Sequence, residues 1–454
     1  MKYDRAFCTI ETEEEPCALF NISTVSGTAA GATGPLADRN LDAVLLTNNL
    51  TDIKMRMANE QQLALDGLLS QHDEVFVNSQ RLRLQMIAED DLQFGWSRAR
   101  AEARGWDPDE VLDFIFMDDP RHRSFRLVTA REFTPARLRQ LAAGFAELSH
   151  EFAAELASDL RNAEAGEESI NFVRSFAQKL PIAAIGQMMG LPQGDWLRLK
   201  QLTNVIIGAP EEDYYQPDET RDQATLRAVE EMTDYMIGVI EDRRRRGPSV
   251  DDLSSLIVHA RIDGQELTEQ QIQGYLFVIL TAGNETTQNA ITGGVSALLE
   301  HPEQRNLLAR NPDLAESAAE EILRWTSPVV QFARTAVEDF ELSGTTIRAG
   351  DDVGLWYPSA NRDETVFEDP YTFDITRSPN HHLAFGGFGA HFCLGASLAR
   401  LELRIMFEEL NRRLPDIQLA TEEALPIRPS NFIVGIESMP VRFSPSASEG
   451  WGNS

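Results

Sequence analysis

The chain has 454 residues, with 41 Lys and Arg against 72 Asp and Glu, a formal net charge of −31 and three cysteines. Its 42% apolar residues can bury a large core, which excludes a chain that is disordered throughout. The acidic charge excludes a general nucleic-acid binder, because such binding needs clustered Lys and Arg. Three cysteines cannot cross-link a fold of this size, so we expect a reducing, cytoplasmic compartment. We find no signal peptide and no apolar run near the roughly 20 residues of a membrane span.

The first 40 residues differ in composition from the rest. Residues 11–15 contain four Glu, and residues 23–34 are almost entirely Ser, Thr, Gly and Ala. Such a stretch has little to bury, so it predicts a flexible acidic tail over residues 1–40. We expect one domain over residues 41–445 and a short tail over 446–454.

From residue 41 onward, apolar residues recur mainly at helical spacing. The sets within 170–180 and 226–239 are examples that predict helices. Strand-like alternation is confined to short patches at 340–347, 353–356 and 440–443. The sequence therefore predicts a mainly α fold with small β-sheets.

One long helix carries an unusual centre. Thr268 and Gln271 have the spacing of a capping box, and the apolar pattern then continues to about Leu299, a helix of roughly 30 residues. The segment 281–287 (TAGNETT) places a Gly and three Thr in its interior, where they are poor helix formers. This violation indicates either a functional site or a close crossing of two helices.

A glycine-rich loop ends in the third cysteine. Residues 385–395 read FGGFGAHFCLG, and the apolar spacing over 394–405 predicts a helix directly afterwards. Cys393 would thus lie at a helix N-terminus, where the dipole favours a thiolate. The glycines allow a flat partner to approach the backbone, and free N–H groups can hydrogen-bond the sulfur. The context favours thiolate ligation over an inert cysteine.

This loop closely resembles the haem-binding loop of the cytochrome P450 monooxygenases, with Cys393 as the proximal thiolate ligand of the iron. The resemblance implies the P450 fold, with haem between a long central helix and the cysteine loop. The sequence departs from the pattern once: Gly386 stands where the family usually has an aromatic residue, and Phe385 lies one position earlier. The double glycine is similar to that of actinobacterial steroid and branched-lipid hydroxylases. Residues 41–115 match the family poorly.

A second motif pairs opposite charges on one helix. Glu321 and Arg324 match the E-x-x-R element of the family, and their spacing puts both side chains on one face. Alone, such a pair would indicate a surface ion pair of little energy. The resemblance instead implies a buried structural pair that Arg377 completes.

Further residues match the family's haem contacts. His122 and Arg126 stand four apart, so both can donate to one carboxylate from a helix face. The resemblance implies that they bind the haem propionates together with Arg334 and His391. It also implies that the haem is contacted by Phe385, Gly386, Gly395, Ala282 and Gly283.

The resemblance gives the centre of the long helix a catalytic role. Small Ala282 and Gly283 would leave room for dioxygen over the haem. Thr286 would hydrogen-bond the reacting oxygen and hold an ordered water, while Glu285 relays protons from solvent. This acid–alcohol pair favours oxygen activation over passive haem binding.

The implied function is a monooxygenase with haem b (iron protoporphyrin IX) that inserts one atom of O2 into a small apolar substrate. The group resembled points to hydroxylation of a sterol, terpenoid or other lipid. Two alternatives stay open: oxidative tailoring of a macrolide, peptide or terpene natural product, and a non-enzymatic haem sensor. Family position places four apolar residues toward the substrate: Ile279, Val329, Val330 and Ile433.

The expected electron supply is external. The chain leaves no segment for a flavin domain, so electrons from NAD(P)H are expected through a separate ferredoxin reductase and ferredoxin. We expect the ferredoxin to dock on the Cys393 side. Because the chain is acidic overall, an acidic partner would need a local basic patch there.

Overall fold

The computed structural model describes residues 114–162, 169–207, 213–249, 251–342, 345–387, 389–428, 430 and 432–443, and three short earlier strands. The helices within these residues are α1 (Arg121–Thr129), α2 (Pro135–Asn162), α3 (Lys179–Met188), α4 (Trp196–Ile206), α5 (Arg221–Arg246), α6 (Leu253–Val258), α7 (Glu269–Glu300), α8 (Pro302–Arg310), α9 (Ala315–Thr326), α10 (Tyr357–Ala360) and α11 (Ala396–Arg413). The strands are β1 (Phe76–Asn78), β2 (Leu92–Gln93), β3 (Trp96–Ser97), β4 (Ile170–Asn171), β5 (Arg261–Ile262), β6 (Gln265–Glu266), β7 (Gln331–Ala336), β8 (Phe340–Leu342), β9 (Thr345–Ile347), β10 (Asp352–Trp356), β11 (Ile417–Leu419) and β12 (Pro440–Phe443). The mainly α fold with small sheets is confirmed, while the predicted tails 1–40 and 446–454 lie outside the described residues.

The long helix α7 is the centre of the fold. It has 32 residues and begins at the predicted capping box: Gln271 N–H donates to Thr268 Oγ1 at 3.1 Å, and Thr268 N–H donates to Gln271 Oε1 at 3.0 Å. These two bonds satisfy amides that the first turn leaves unpaired. α7 packs against α3, α5, α9 and α11, so most of its length is buried.

Helix α1 is tied to α7 by a buried tyrosine. The Tyr275 hydroxyl donates to the backbone oxygen of Phe125 at 2.9 Å and lies 2.9 Å from Thr129 Oγ1. Tyr275 is fully buried, and its partners satisfy a hydroxyl that would otherwise be costly to bury. The contact fixes where α1 presents its inner face.

The sheets are small and antiparallel. β7 lies between β1 and β10, and its register sets Arg334 opposite Val353. β12 lies between β11 and β4, and β8 pairs with β9. The predicted strand patches at 340–347, 353–356 and 440–443 are confirmed.

The helix predicted within 170–180 begins later than the pattern suggested. Residues 170 and 171 form β4, which pairs with β12, and a turn of π-helix over Val173–Ala177 leads into α3. Pairing with a strand nearly 270 residues away in the chain overrode the local helical spacing, as tertiary contacts often do. No helix within the described residues is both long and apolar enough to cross a bilayer.

Candidate active site

A large cavity lies between the centre of α7 and the loop that precedes α11. It encloses about 1380 Å³ of space, its opening to solvent included. Thirteen of the residues singled out in the sequence line it: His122, Arg126, Ile279, Ala282, Gly283, Thr286, Val329, Arg334, Phe385, Gly386, His391, Cys393 and Gly395. The fold thus brings segments from four distant parts of the chain to one space.

The Cys393 thiol is held by the backbone of its own loop. The backbone N–H of Cys393 donates to the backbone oxygen of Phe385 at 2.9 Å. The amides of Gly395 and Ala396 hydrogen-bond the sulfur. Burial raises the pKa of the Cys393 thiol, while these amides and the charge of Arg126 act in the opposite direction. The expected stabilisation by local N–H groups is present, but burial outweighs it in the protein alone. A thiol that coordinates a metal is deprotonated outright.

The double glycine has a conformational reason. Gly386 has φ +82°, a left-handed value that side chains rarely adopt, and its N–H closes a turn onto Leu383 at 2.9 Å. Phe385 is buried one position earlier, with the Arg400 guanidinium 4.6 Å from the centre of its ring. Phe385 therefore supplies the aromatic packing that the motif at Gly386 lacks.

Four basic side chains form the polar end of the cavity. The His122 and His391 rings lie 3.9 Å apart, and Arg126 Nη2 donates to the backbone oxygen of Phe392 at 2.5 Å. Burial, then Arg126, lowers the pKa of His122, and burial together with the nearby cations lowers the pKa of His391 to about 2. The cluster therefore holds two cationic guanidiniums, of Arg126 and Arg334, beside two neutral imidazoles.

This donor set fits a haem group. A cysteine thiolate is a suitable ligand for iron, and the basic cluster is suited to anionic groups such as two propionates. Burying guanidinium groups is costly unless they meet anions or hydrogen-bond acceptors. Leu398 and Ala399 add apolar surface beside the thiol.

Two glycines of α7 serve different purposes. A Cβ built on Gly283 would meet Ile185 at 3.5 Å, an ordinary contact, so the crossing with α3 does not require glycine there. A Cβ on Gly294 would lie 2.7 Å from Ile322 and from Phe407, which no side chain tolerates without a shift. The close crossing considered for residues 281–287 is therefore not required at Gly283, which lines the cavity, whereas Gly294, outside that segment, does lie at a close crossing.

Thr286 and Glu285 are neighbours in sequence but not in environment. Thr286 lines the cavity and its Oγ1 donates to the backbone oxygen of Ala282 at 2.9 Å. Glu285 does not line the cavity and is only 1% exposed. Successive residues of a helix point in directions about 100° apart, which separates the alcohol from the acid.

Two cations hold the Glu285 carboxylate. Lys200 Nζ on α4 donates to Oε2, and Arg428 Nη2 donates to Oε1 at 2.8 Å. Burial alone would raise the pKa of Glu285, but the two cations bring it below its ordinary value. Neither partner can be found from the sequence, because they lie 85 and 143 residues away and carry no local signal.

The E-x-x-R element forms a buried network. Arg324 Nε and Nη2 donate to the two Glu321 oxygens at 2.8 and 2.7 Å, and Arg377 Nε donates to Oε2 at 3.1 Å. The Asp374 amide and the Asn380 side chain donate to the same carboxylate. Glu321 and Arg324 have no solvent exposure.

Two of the residues expected to face the substrate lie elsewhere. Ile279 and Val329 line the cavity, but Val330 and Ile433 do not. Neighbouring residues of an extended segment point to opposite sides, so Val330 enters the core, where it is 5% exposed. Ile433 forms a β-bridge with Val329 from behind the wall.

The cavity also has lining residues that sequence analysis did not single out. Their apolar types and spacing do not distinguish them from core residues, and only the fold selects them. They are Phe114, Ile115, Ile185, Val278, Phe332 and Tyr357 among others.

Comparison with known proteins agrees with this geometry. The sequence model of the family described as Cytochrome P450 matches residues 311–415. A methyl-branched lipid omega-hydroxylase of Mycobacterium tuberculosis is 43% identical over 332 residues, which cover 73% of this chain and 74% of that enzyme. A steroid C26-monooxygenase of Mycolicibacterium smegmatis is 40% identical over 334 residues, 73% of this chain and 80% of that enzyme.

A solved structure extends the match to most of the fold. The cytochrome P450 of the bacillaene polyketide synthase of Bacillus subtilis has a TM-score of 0.66 and 31% identity, covering 89% of this chain and all of that one. The chain belongs to the cytochrome P450 family. It is a monooxygenase, and membership of this family implies haem and O2-dependent chemistry.

Proposed function

We propose that this enzyme hydroxylates a sterol or a methyl-branched lipid, using haem b and electrons from NAD(P)H. The supporting observation is the cavity itself, in which the Cys393 thiol faces an apolar wall on α7. The two relatives above are named for a methyl-branched lipid and a steroid. The reaction balances as R–H, O2, two protons and two electrons giving R–OH and H2O.

Haem would be held by the residues described above: Cys393 at the iron, and His122, Arg126, Arg334 and His391 at the propionates. When bound, haem supplies dioxygen activation, and its thiolate ligand supplies electron density that favours O–O cleavage. Ile279, Val329 and Phe332 would exclude water and orient an apolar substrate on the opposite wall.

We propose that Thr286 positions a proton donor at the cavity. Its hydroxyl is oriented by the bond that it donates to the Ala282 carbonyl, so its oxygen can still accept a hydrogen bond. Glu285 would supply the next proton along the relay. Because two cations hold its carboxylate, one of these ion pairs must open before Glu285 can take up a proton from water.

We further propose that a ferredoxin, reduced by a ferredoxin reductase, docks on the outer face of α1. Arg123 and Leu127 on α1, and Arg131 two residues beyond its end, follow each other at intervals of four and are exposed, with Leu127 at 65%. Arg126 on the inner side contacts the cysteine loop. No ion pair is found for Arg123 or Arg131 in the described part of the chain, so both charges face solvent and suit an acidic partner.

The docking face has a matched control. Leu127→Glu is expected to slow reduction by ferredoxin at least about tenfold, because it places a negative charge inside a basic stripe. Leu197→Glu, at a leucine of similar exposure (59%) on α4, is expected to leave the rate unchanged. Stopped-flow reduction measures both variants, and equal slowing in the two would refute the assignment.

A second candidate is tailoring of a polyketide or related natural product. It is favoured by the structural match to the bacillaene polyketide synthase P450. The same fold and haem site serve either function, so only the substrate differs.

We place the enzyme in the cytoplasm, with residues 41–445 as its catalytic domain.

The test is a binding screen by haem spin-state shift, followed by turnover with a surrogate ferredoxin and reductase. Cholesterol, testosterone and phytanic acid are compared with macrolide and cyclic-peptide scaffolds. A shift and a hydroxylated product with the first group support the proposal. Shifts and products confined to the second group would establish the tailoring function instead.

A further inference from the structure

The Glu285 carboxylate lies between cations from two separate elements. Lys200 comes from α4, and Arg428 comes from the segment between β11 and β12. All three side chains are at most 6% exposed. Oppositely charged partners stabilise a buried carboxylate strongly, so removing either cation makes the charged form of Glu285 less stable.

Arg428 has a second carboxylate within reach. Its Nε lies 3.9 Å from Glu437 Oε1, an ion-pair distance too long for a hydrogen bond. Arg428 Nε and Nη1 are buried and have no hydrogen-bond partner. Unlike Glu285, the Glu437 side chain is partly exposed, at 20%. Arg428 therefore stands between a buried acid and one that meets solvent, and about 1 Å of movement would bond it to the second.

Arg428 and Glu437 belong to the two arms of one hairpin. Arg428 N–H donates to the Gly435 backbone oxygen at 3.0 Å, and Glu437 N–H donates to that of Pro426 at 2.9 Å. The backbone thus holds both side chains at the same end of the hairpin, and the arginine can exchange partners without unfolding it.

The same hairpin supports the wall of the cavity. Val330 N–H donates to the Phe432 backbone oxygen at 2.8 Å, and the rings of Phe432 and Phe332 meet edge to face at 5.4 Å. Phe332 lines the cavity. A substrate that displaces Phe332 therefore pushes on the hairpin that carries Arg428.

We propose that Arg428 is a positioning residue that moves from Glu285 to Glu437 when substrate fills the cavity, and so opens proton delivery only in the loaded enzyme. With Arg428 on Glu285, the carboxylate is tied at both oxygens. With Arg428 on Glu437, Oε1 is freed to accept a proton from water and pass it toward Thr286, while Lys200 stays on Oε2. Glu285 regains its starting protonation after each transfer. The inference rests on the proton-relay role proposed above.

A ligand can shift such an equilibrium only through contacts that differ between the two states. In the proposed switch, the contact that would differ between the two states is the Phe332–Phe432 pair. The arrangement would let Glu285 deliver protons only when the cavity holds a substrate.

Glu437→Gln tests the second position of Arg428. It removes the acceptor carboxylate but leaves the Arg428–Glu285 pair intact. With a substrate that shifts the spin state, we expect product per NAD(P)H to fall at least about threefold and peroxide to rise. The solvent isotope effect on turnover should increase, while the spin-state titration and melting temperature stay unchanged. Glu422→Gln, at an exposed carboxylate of the same segment, is the control and should match the wild type.

A double variant separates the switch from a structural effect. In Arg428→Met the arginine is absent, so adding Glu437→Gln should cause no further loss of coupling. A full additional loss in the double variant would overturn the proposal, as would unchanged coupling in Glu437→Gln alone. If Arg428→Met fails to incorporate haem, the single variant still decides.

Crystal structures supply a readout that does not depend on turnover. We expect Arg428 on Glu285 in the free enzyme and on Glu437 in the testosterone or phytanic acid complex. An arginine that remains on Glu285 in the complex would overturn the switch. A wrong substrate class would appear separately, as the absence of any spin-state shift with these compounds.

Discussion

The hydrogen-bond donors around Cys393 and those around Glu285 are of different kinds. At Cys393, backbone amides of the loop and of the first turn of α11 point at the sulfur. At Glu285, the charge is held by the side chains of Lys200 and Arg428. Backbone amides cannot leave without unfolding the loop, whereas a side chain can rotate away.

This difference matches the roles proposed above for the two groups, an iron ligand at Cys393 and a proton relay at Glu285. An iron ligand must stay in one place throughout turnover, so a fixed set of donors suits it. A proton relay must alternate between holding and releasing, so its partners must be able to move. The comparison suggests that mobility in this active site resides in the side chains around α7.

Replacing Cys393 should have the largest effect of all. Cys393→Ala removes the only thiol in the described cavity, so we expect loss of the thiolate-type reduced carbonyl spectrum and of all product formation. Cys17→Ala is the control and should keep both. An unchanged spectrum in Cys393→Ala would refute the assignment of Cys393 as the thiolate ligand.

Glu321 is a carboxylate whose hydrogen-bond partners are expected to stay in place. Glu321→Gln leaves Arg324 buried without its anion, so we expect a loss of about 3–5 kcal/mol in the free energy of unfolding. Urea unfolding measures it, and Arg377→Lys, which keeps the charge, should cost less. A loss below about 1 kcal/mol in Glu321→Gln would contradict a structural role.

Thr286→Ala tests the proton-delivery group, whose side-chain partners can move. We expect reduction by the electron donor to continue while product per NAD(P)H falls about tenfold and peroxide rises, because the oriented hydroxyl is gone. Thr281→Ala, at a threonine of the same helix that does not line the cavity, is the control. Unchanged coupling in Thr286→Ala would refute the role in proton delivery.

The smallest effect concerns a carboxylate at the edge of the cysteine loop. Despite partial burial, hydrogen bonds from His382 and Arg400 lower the pKa of Glu320 to about 2. A lowered folded-state pKa stabilises the protein above the unfolded value, and this stabilisation is lost as the pH falls from about 4.5 to about 2. At pH 7 the free energy of unfolding of Glu320→Gln should therefore be about 2 kcal/mol lower than that of the wild type. Between pH 7 and pH 3 it should fall less than the free energy of unfolding of the wild type does.

Denaturant titrations at pH 7 and pH 3 measure this difference. Glu364→Gln, at an exposed carboxylate, should follow the wild type at both values. If Glu320→Gln also kept the full acid sensitivity of the wild type, the sensitivity would have to come from other carboxylates.

The sequence predicted the parts of the site that are local. Cys393 and its loop, α7 with its capping box, and the Glu321–Arg324 spacing are all contained in short segments, where periodicity and known motifs apply. The partners of Glu285 could not be predicted, because Lys200 and Arg428 meet it only through the packing of distant elements. The direction of Val330 could not be predicted either, because it depends on the register of an extended segment.

Gly283 has a practical consequence for altering the enzyme. Because a methyl group there would reach Ile185 only at ordinary contact distance, α3 and α7 need not move to accept it. Alanine at this position would narrow the reaction chamber by one methyl while leaving the scaffold in place. Gly283 is therefore a natural starting point for redirecting which carbon of a substrate is oxidised, whereas Gly294 should be left unchanged.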